Sequence, residues 1–166
     1  MKKTALALAL ALAFTVGASA QKFAHVDQAK IVQGMPEYTA AQTEIQTQMK
    51  QYEDELKRMQ EELQTKLAAY EKESEKLPAA VKQHREQELQ ELNQRLQQYY
   101  QTSQEELEKL RNEKLAAIGE KVNKAIKEIG QAGGYIYVMD VNSLPFINET
   151  ISTDITSQVL GKLGVK

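Results

Sequence analysis

The chain has 166 residues, contains no cysteine, and carries 21 basic and 23 acidic side chains. The lack of cysteine excludes disulfides, thiol redox chemistry and cysteine-ligated zinc. A mixed and slightly acidic charge argues against nucleic acid as the main partner, because phosphate binding requires a basic face. The lack of tryptophan and a middle rich in Gln, Glu, Lys and Leu are typical of long helices rather than of a thick globular core.

The first twenty residues have the pattern of a cleaved secretory signal. Lys2 and Lys3 precede an apolar run of about twelve residues, which is shorter than the roughly 20 that a transmembrane helix needs. Positions 18–20 (Ala-Ser-Ala) form a small-x-small cleavage pattern, so we expect cleavage after Ala20, export, and no stable membrane insertion. Without the two lysines, 19 basic residues remain against 23 acidic ones, a formal charge of −4.

Residues 21–35 predict the first part of a small body. The segment KFAHVD (residues 22–27) is typical of a short strand, with Phe23 and His25 on the same face. Asp27 is placed to cap the short helical turn that follows. Pro36 fits the first turn of the next helix.

Residues 36–131 predict an antiparallel helical hairpin. Apolar side chains recur every three or four residues, which marks one stripe along each helix. The break near 71–80 contains Pro78, which resists a continuous helix. Two striped helices joined by a short break fold back on one another, giving an arm of roughly 60 Å. A narrow seam buries little apolar area, and this burial must offset the conformational entropy lost when the helices are ordered. We therefore expect the far end of the arm to be looser.

Residues 132–166 predict the second part of the body. Gly133 and Gly134 end the hairpin, and residues 135–139 (YIYVM) predict a strand, expected to be central in its sheet. Pro145–Asn148 is expected to return as a short edge strand. Asp154 is placed to cap a C-terminal helix. The predicted fold class is therefore α+β and mostly α, a long hairpin projecting from a small β-containing body that both ends of the mature chain form.

Few side chains suggest chemistry. Two interpretations of His25 are open, a buried proton switch or an ordinary hydrogen-bonded packing role, and the second is favoured. Asp27 and Asp140 each follow a predicted strand and could form an acid pair, although helix or turn capping is favoured. The sequence has no nucleophile–base pair, no metal-ligand spacing and no phosphate-binding loop. We therefore expect no enzyme activity and no metal or other cofactor.

The order and spacing of these segments resemble the Skp/OmpH family of periplasmic chaperones over the whole mature chain. The resemblance is carried by KFAHVD, the polar hairpin, YIYVMDVNSLPFIN and DITSQVLGKL. It implies a periplasmic homotrimer whose strands form a central body, with three hairpin arms around a cavity that takes in unfolded outer-membrane proteins without ATP. One departure is that Lys66–Glu88 interleaves both charge signs, whereas well-known members carry clustered Lys and Arg at the arm tips. Lipopolysaccharide contact is therefore not carried over.

Two sets of residues are candidates for these roles. Contact between copies in the body is predicted for Phe23, Val26, Ile136, Val138, Phe146 and Ile147. Contact with unfolded clients is predicted for Met49, Met59, Tyr70, Tyr99 and Tyr100. Neighbouring positions on a helix cannot both face the seam, so one of Tyr99 and Tyr100 should be exposed. The alternative function is a structural coiled-coil spacer or scaffold of the cell envelope, which would keep its seam tight and ignore denatured proteins.

Overall fold

The computed structural model describes residues 21–165. The predicted signal peptide lies outside these residues. In chain order the elements are β1 (Lys22–Val26), α1 (Gln28–Gly34), α2 (Pro36–Glu73), a 3-10 turn (Ser74–Lys76), α3 (Ala79–Gly133), β2 (Tyr135–Asp140), a 3-10 turn (Val141–Ser143), β3 (Ser152–Asp154) and α4 (Thr156–Lys162). None of the described helices is both long and apolar enough to cross a membrane.

The described chain divides into two compact units. The body unit comprises the residues up to 31 together with residues 123–164, and the arm unit comprises residues 32–122. The helices α1 and α3 each contribute to both units.

The body unit contains a three-stranded parallel sheet in the order β2-β1-β3. In β1, Ala24 and Val26 are at most 2% exposed. In β2, Tyr137, the partner of Phe23 in the register, is 58% exposed. Because β1 pairs with both other strands, it is the central strand of the sheet, and the prediction that residues 135–139 would be central was wrong. Aromatic and β-branched residues favour a strand, but they do not say which side of it lies against another element of the same chain.

The segment Pro145–Asn148 is not a strand, contrary to the prediction. Pro145 has no N–H group to donate to a ladder, and Asn148 forms a turn instead. Its Oδ1 accepts a hydrogen bond from the Thr150 N–H at 3.0 Å, and its carbonyl oxygen accepts one from the Ser152 N–H at 3.0 Å. The third strand, Ser152–Asp154, begins only after this turn.

Two acidic residues at strand ends hold the start of α1. Asp27 Oδ1 accepts a hydrogen bond from the Lys30 N–H at 2.9 Å, and Asp140 Oδ1 accepts one from the Gln28 N–H at 3.2 Å. The first N–H groups of a helix lack partners within the helix, so carboxylates are stabilising there. The capping interpretation of Asp27 and Asp140 is confirmed.

The core of the body unit lies on one face of the sheet. Val26, Ile155 and Val159 are fully buried. A Cβ added at Gly130 would lie 3.2 Å from Val138 Cγ2, so α3 approaches β2 closely at this point. Gly134 ends the helix with a φ of 65°, a left-handed conformation that favours glycine.

The arm unit is an antiparallel pair formed by α2 and the first part of α3. Its buried side chains are few: Met35, Ala41, Leu92, Ser103, Ile118 and Val122. None of residues 42–91 is buried. In this outer part, polar bonds join the two helices, between Tyr52 and Glu106, Lys66 and Glu88, and Tyr70 and Glu86. The outer arm therefore combines half-buried apolar side chains, among them Leu56 and Leu63, with polar cross-links between its helices.

Candidate functional site

One face of the body sheet carries apolar side chains that the described chain leaves uncovered. We call this surface the apolar face; it comprises Phe23, Tyr137, Met139, Leu144, Phe146 and Ile151. The rings of Phe23 and Tyr137 stack with their centroids 5.8 Å apart. Phe146 is 78% exposed and Ile151 is 66% exposed. Contiguous exposed apolar surface of this kind is typical of an interaction site.

His25 lies beneath the apolar face on the central strand. Its imidazole is buried, and Nδ1 lies 2.8 Å from Ser152 Oγ, within hydrogen-bond distance. The hydrogen-bonded role favoured for His25 is confirmed. Over the described part of the chain, no buried side-chain nitrogen or oxygen lacks a partner, and no cluster of three potential metal ligands occurs.

The residues predicted for contact between copies fall into two groups. Phe23, Phe146 and Ile147 line a depression at the apolar face, and Ile136 is exposed elsewhere on β2. Val138 is half-buried on the other face of β2, where its side chain lies close to Gly130 of the same subunit. Val26, in contrast, is 0% exposed and is not available to a second copy. This is a correction, and it follows from strand alternation, because Val26 lies on the opposite face of β1 from Phe23.

Sequence reasoning missed part of the apolar face. Tyr137 and Met139 are partners of Phe23 and His25 in the parallel register. Alternation along YIYVM would have placed these two side chains on one face, but the pairing with β1 could not be read from the strand itself. Ile151 was also missed, because it lies in the turn that replaces the predicted strand.

The sheet has two open edges. Within residues 21–165, β2 and β3 each pair with β1 only, so the outer edge of each strand has no neighbour. Unpaired N–H and C=O groups along a strand are a template for pairing with another chain. The open edges and the apolar face together make the body unit a candidate assembly surface.

The arm unit carries the residues predicted for client contact. Tyr99 packs edge-on against Tyr52 with ring centroids 6.0 Å apart, whereas Tyr100 is 54% exposed, so the expectation that one of the two tyrosines is exposed is confirmed. Met49 is 44% exposed. Met59 and Tyr70 are half-buried, and the hydrogen bond that Tyr70 donates to Glu86 raises the pKa of the phenol to about 12.

We expect the cross-link between Lys66 and Glu88 to contribute to the pH dependence of arm stability. The hydrogen bond from Lys66 lowers the pKa of Glu88 below its ordinary value of 4.5. A carboxyl whose folded-state pKa is lowered contributes stability above its unfolded pKa, and this contribution is lost as pH falls through the folded pKa. We expect the melting temperature followed by circular dichroism to fall as pH drops below about 4.5. The double variant K66Q/E88Q should show a smaller fall than the natural chain, and an identical fall would contradict this role of the pair.

A comparison with protein-family models identifies the family of this chain, and a comparison with solved structures finds a similar fold. The family model for outer membrane proteins of the OmpH-like type matches residues 22–163. The fold is similar to that of an OmpH-like outer membrane chaperone from Caulobacter crescentus, with a TM-score of 0.75, 19% identity, and coverage of 89% of this chain and 86% of that one. At this identity the structural likeness speaks for the fold alone. No curated protein matches the chain.

Proposed function

Because the chain belongs to the OmpH-like outer membrane protein family, we propose that it is a periplasmic holdase, which binds unfolded outer-membrane β-barrel proteins and keeps them from aggregating without ATP. Family membership supports a chaperone role and a periplasmic location in general. We further propose that the clients are β-barrel proteins and that they are held in an enclosed cavity.

The observation that carries the proposal is the thin core of the arm beside its exposed apolar side chains. None of residues 42–91 is buried, while Met49, Leu67, Tyr100 and Leu115 are each at least 43% exposed. A helical pair that served only as a spacer would gain nothing from leaving such side chains in water. Many weak contacts with a flexible client can add up to useful affinity, and methionine adapts its shape to varied partners.

Assembly of three copies through the body unit is the second part of the proposal. The apolar face and the open edges of β2 and β3 would both be covered by neighbouring copies. A sheet of three short strands buries little surface alone, which supports association as the source of its stability. Three arms would then bound a cavity in which a client is held.

Aggregation of an unfolded β-barrel protein provides the test. On dilution of such a client from urea, the mature chain should suppress light scattering at about one trimer per client, equally with and without ATP. Light scattering coupled to size exclusion should give the mass of three copies alone, and that of three copies plus one client in the mixture. A monomer that leaves client aggregation unchanged would refute the holdase and would favour the spacer.

A further inference from the structure

The two sides of the helical pair in the arm unit differ: ion pairs bridge the helices on one side, and an open groove runs between them on the other. On one side, Lys121 Nζ lies 3.1 Å from Glu37 Oε1 and Lys114 Nζ lies 2.6 Å from Glu44 Oε2, so two ion pairs bridge α2 and α3. Both pairs and the small side chains between them, Ala40 and Ala117, line one shallow depression. We call this surface the ion-paired side. Its charges already have partners.

The opposite side has an open groove. One part, of about 510 Å³, is lined by Met49, Leu56 and Leu107 among others. The next part is lined by Tyr38, Ile45 and Leu115. Arg111 of α3 lines both parts. The residues of α2 that line them recur every three or four positions, so both parts follow one face of that helix: Tyr38, Gln42, Ile45, Met49, Tyr52 and Leu56. The buried residue Ala41 lies at the seam between the two helices, where it borders both the groove part next to Tyr38 and the depression on the ion-paired side.

Within residues 21–165, three charged side chains along the open groove have no ion-pair partner. Glu53, Glu108 and Arg111 line it and take part in none of the ion pairs found in residues 21–165. On the ion-paired side, all four charged residues are paired. Of these two surfaces, the open groove therefore offers both apolar surface and unpaired charges of both signs to a ligand.

The length of the open groove suggests the conformation of that ligand. From Tyr38 to Leu56 a helix rises roughly 27 Å at 1.5 Å per residue. An extended chain covers the same distance with about eight residues. A transmembrane β-strand has about 9–11 residues, with apolar and polar side chains in alternation. Such a segment can direct alternate side chains into the groove and the others towards solvent.

We propose that the open groove binds one extended, strand-length segment of an unfolded client, with apolar side chains against Met49 and Leu115 and polar groups on Glu53, Glu108 and Arg111. This inference rests on the proposed holdase function and specifies its binding surface. The ion-paired side does not bind clients. The groove is a property of one hairpin, so each arm carries a complete copy of it.

Matched double substitutions on the two sides test the groove. Met49→Gln with Leu115→Gln removes apolar surface from the groove at positions that are already 44% and 43% exposed, so the fold should tolerate both changes. The control, Ala40→Gln with Ala117→Gln, makes the ion-paired side bulkier. Titration with an unfolded outer-membrane β-barrel protein should give a Kd about tenfold higher for the groove variant, and a Kd within about twofold of the natural value for the control.

Single-cysteine reporters give a second measurement that does not depend on weakened binding. The chain has no cysteine, so Gln104→Cys in the groove and Ala40→Cys on the ion-paired side each accept one environment-sensitive fluorophore. On client binding, the emission of the label at position 104 should shift to the blue, and that of the label at position 40 should not.

The outcomes separate the groove from the holdase itself. If the natural chain does not bind the client, the proposed function fails. If the natural chain binds but M49Q/L115Q binds equally well, or the label at position 40 responds more strongly than the label at position 104, the groove assignment is overturned while the holdase stands. A tenfold loss confined to M49Q/L115Q, with the blue shift at position 104, supports the groove.

Discussion

Shortening the arm by two heptads in each helix should lower protection of a large unfolded client at least about fivefold, with the number of copies per oligomer unchanged. The change deletes residues 57–70 and 86–99. These segments face each other, because Tyr70 bonds to Glu86 at one end and Tyr52 packs on Tyr99 near the other. Each helix would lose roughly 21 Å, together with the predicted client contacts Met59, Tyr70 and Tyr99, so both enclosure and client contact would be reduced. Client aggregation followed by light scattering measures the effect, and multi-angle light scattering measures the mass.

The control for arm length is K66Q/E88Q. It removes the cross-link that lies inside the deleted segments, between Lys66 and Glu88, while keeping the full length. If the cross-link and not the length were responsible, this variant would lose as much protection as the shortened arm. Full protection by the shortened arm would instead refute enclosure. Both variants retain the open groove from Tyr38 to Leu56, so an isolated strand-length peptide should still bind to them.

The helices of the arm could be predicted because the signal for them is local. An apolar residue every three or four positions marks a helical stripe whatever the rest of the chain does, and Pro78 marks the break between the helices. The same pattern could not show that one side of the pair is bridged by Glu37–Lys121 and Glu44–Lys114 while the other is open. Those partners are more than 60 residues apart, and their meeting depends on the register of the hairpin.

The strands were harder to place because parallel pairing is non-local. Residues 135–139 have the composition of a strand, and the structure has one there, yet its position at the edge follows from pairing with residues more than 100 positions earlier. The misassigned strand at Pro145–Asn148 has a local cause, since Asn148 satisfies the backbone of its own turn. Tyr137 was missed on the candidate assembly surface because its pairing with Phe23 is non-local. Val26 has a local cause instead, since strand alternation places it on the opposite face of β1 from Phe23.

Charging the apolar face should dissociate the proposed trimer. Tyr137→Lys places an ammonium group beside Phe23, on which the tyrosine ring stacks. Because Tyr137 is 58% exposed in the single chain, the folded subunit can keep the lysine in water. An interface that covers this face would have to bury the charge without a partner, which costs several kcal/mol. The dissociation constant, measured by sedimentation equilibrium, should rise at least about 100-fold.

Two further substitutions in the body unit serve as controls for Tyr137→Lys. Ser157→Lys adds the same charge to an exposed position on α4 outside the apolar face, and it should leave the mass unchanged. Val138→Lys should behave differently from both, because Val138 packs against Gly130 inside the subunit. It should lower the melting temperature along with the mass. Dissociation by Tyr137→Lys with an unchanged circular dichroism spectrum would assign the contact between copies to the apolar face. An intact trimer of this variant would place that contact elsewhere on the body unit and remove the surface on which the proposed assembly depends.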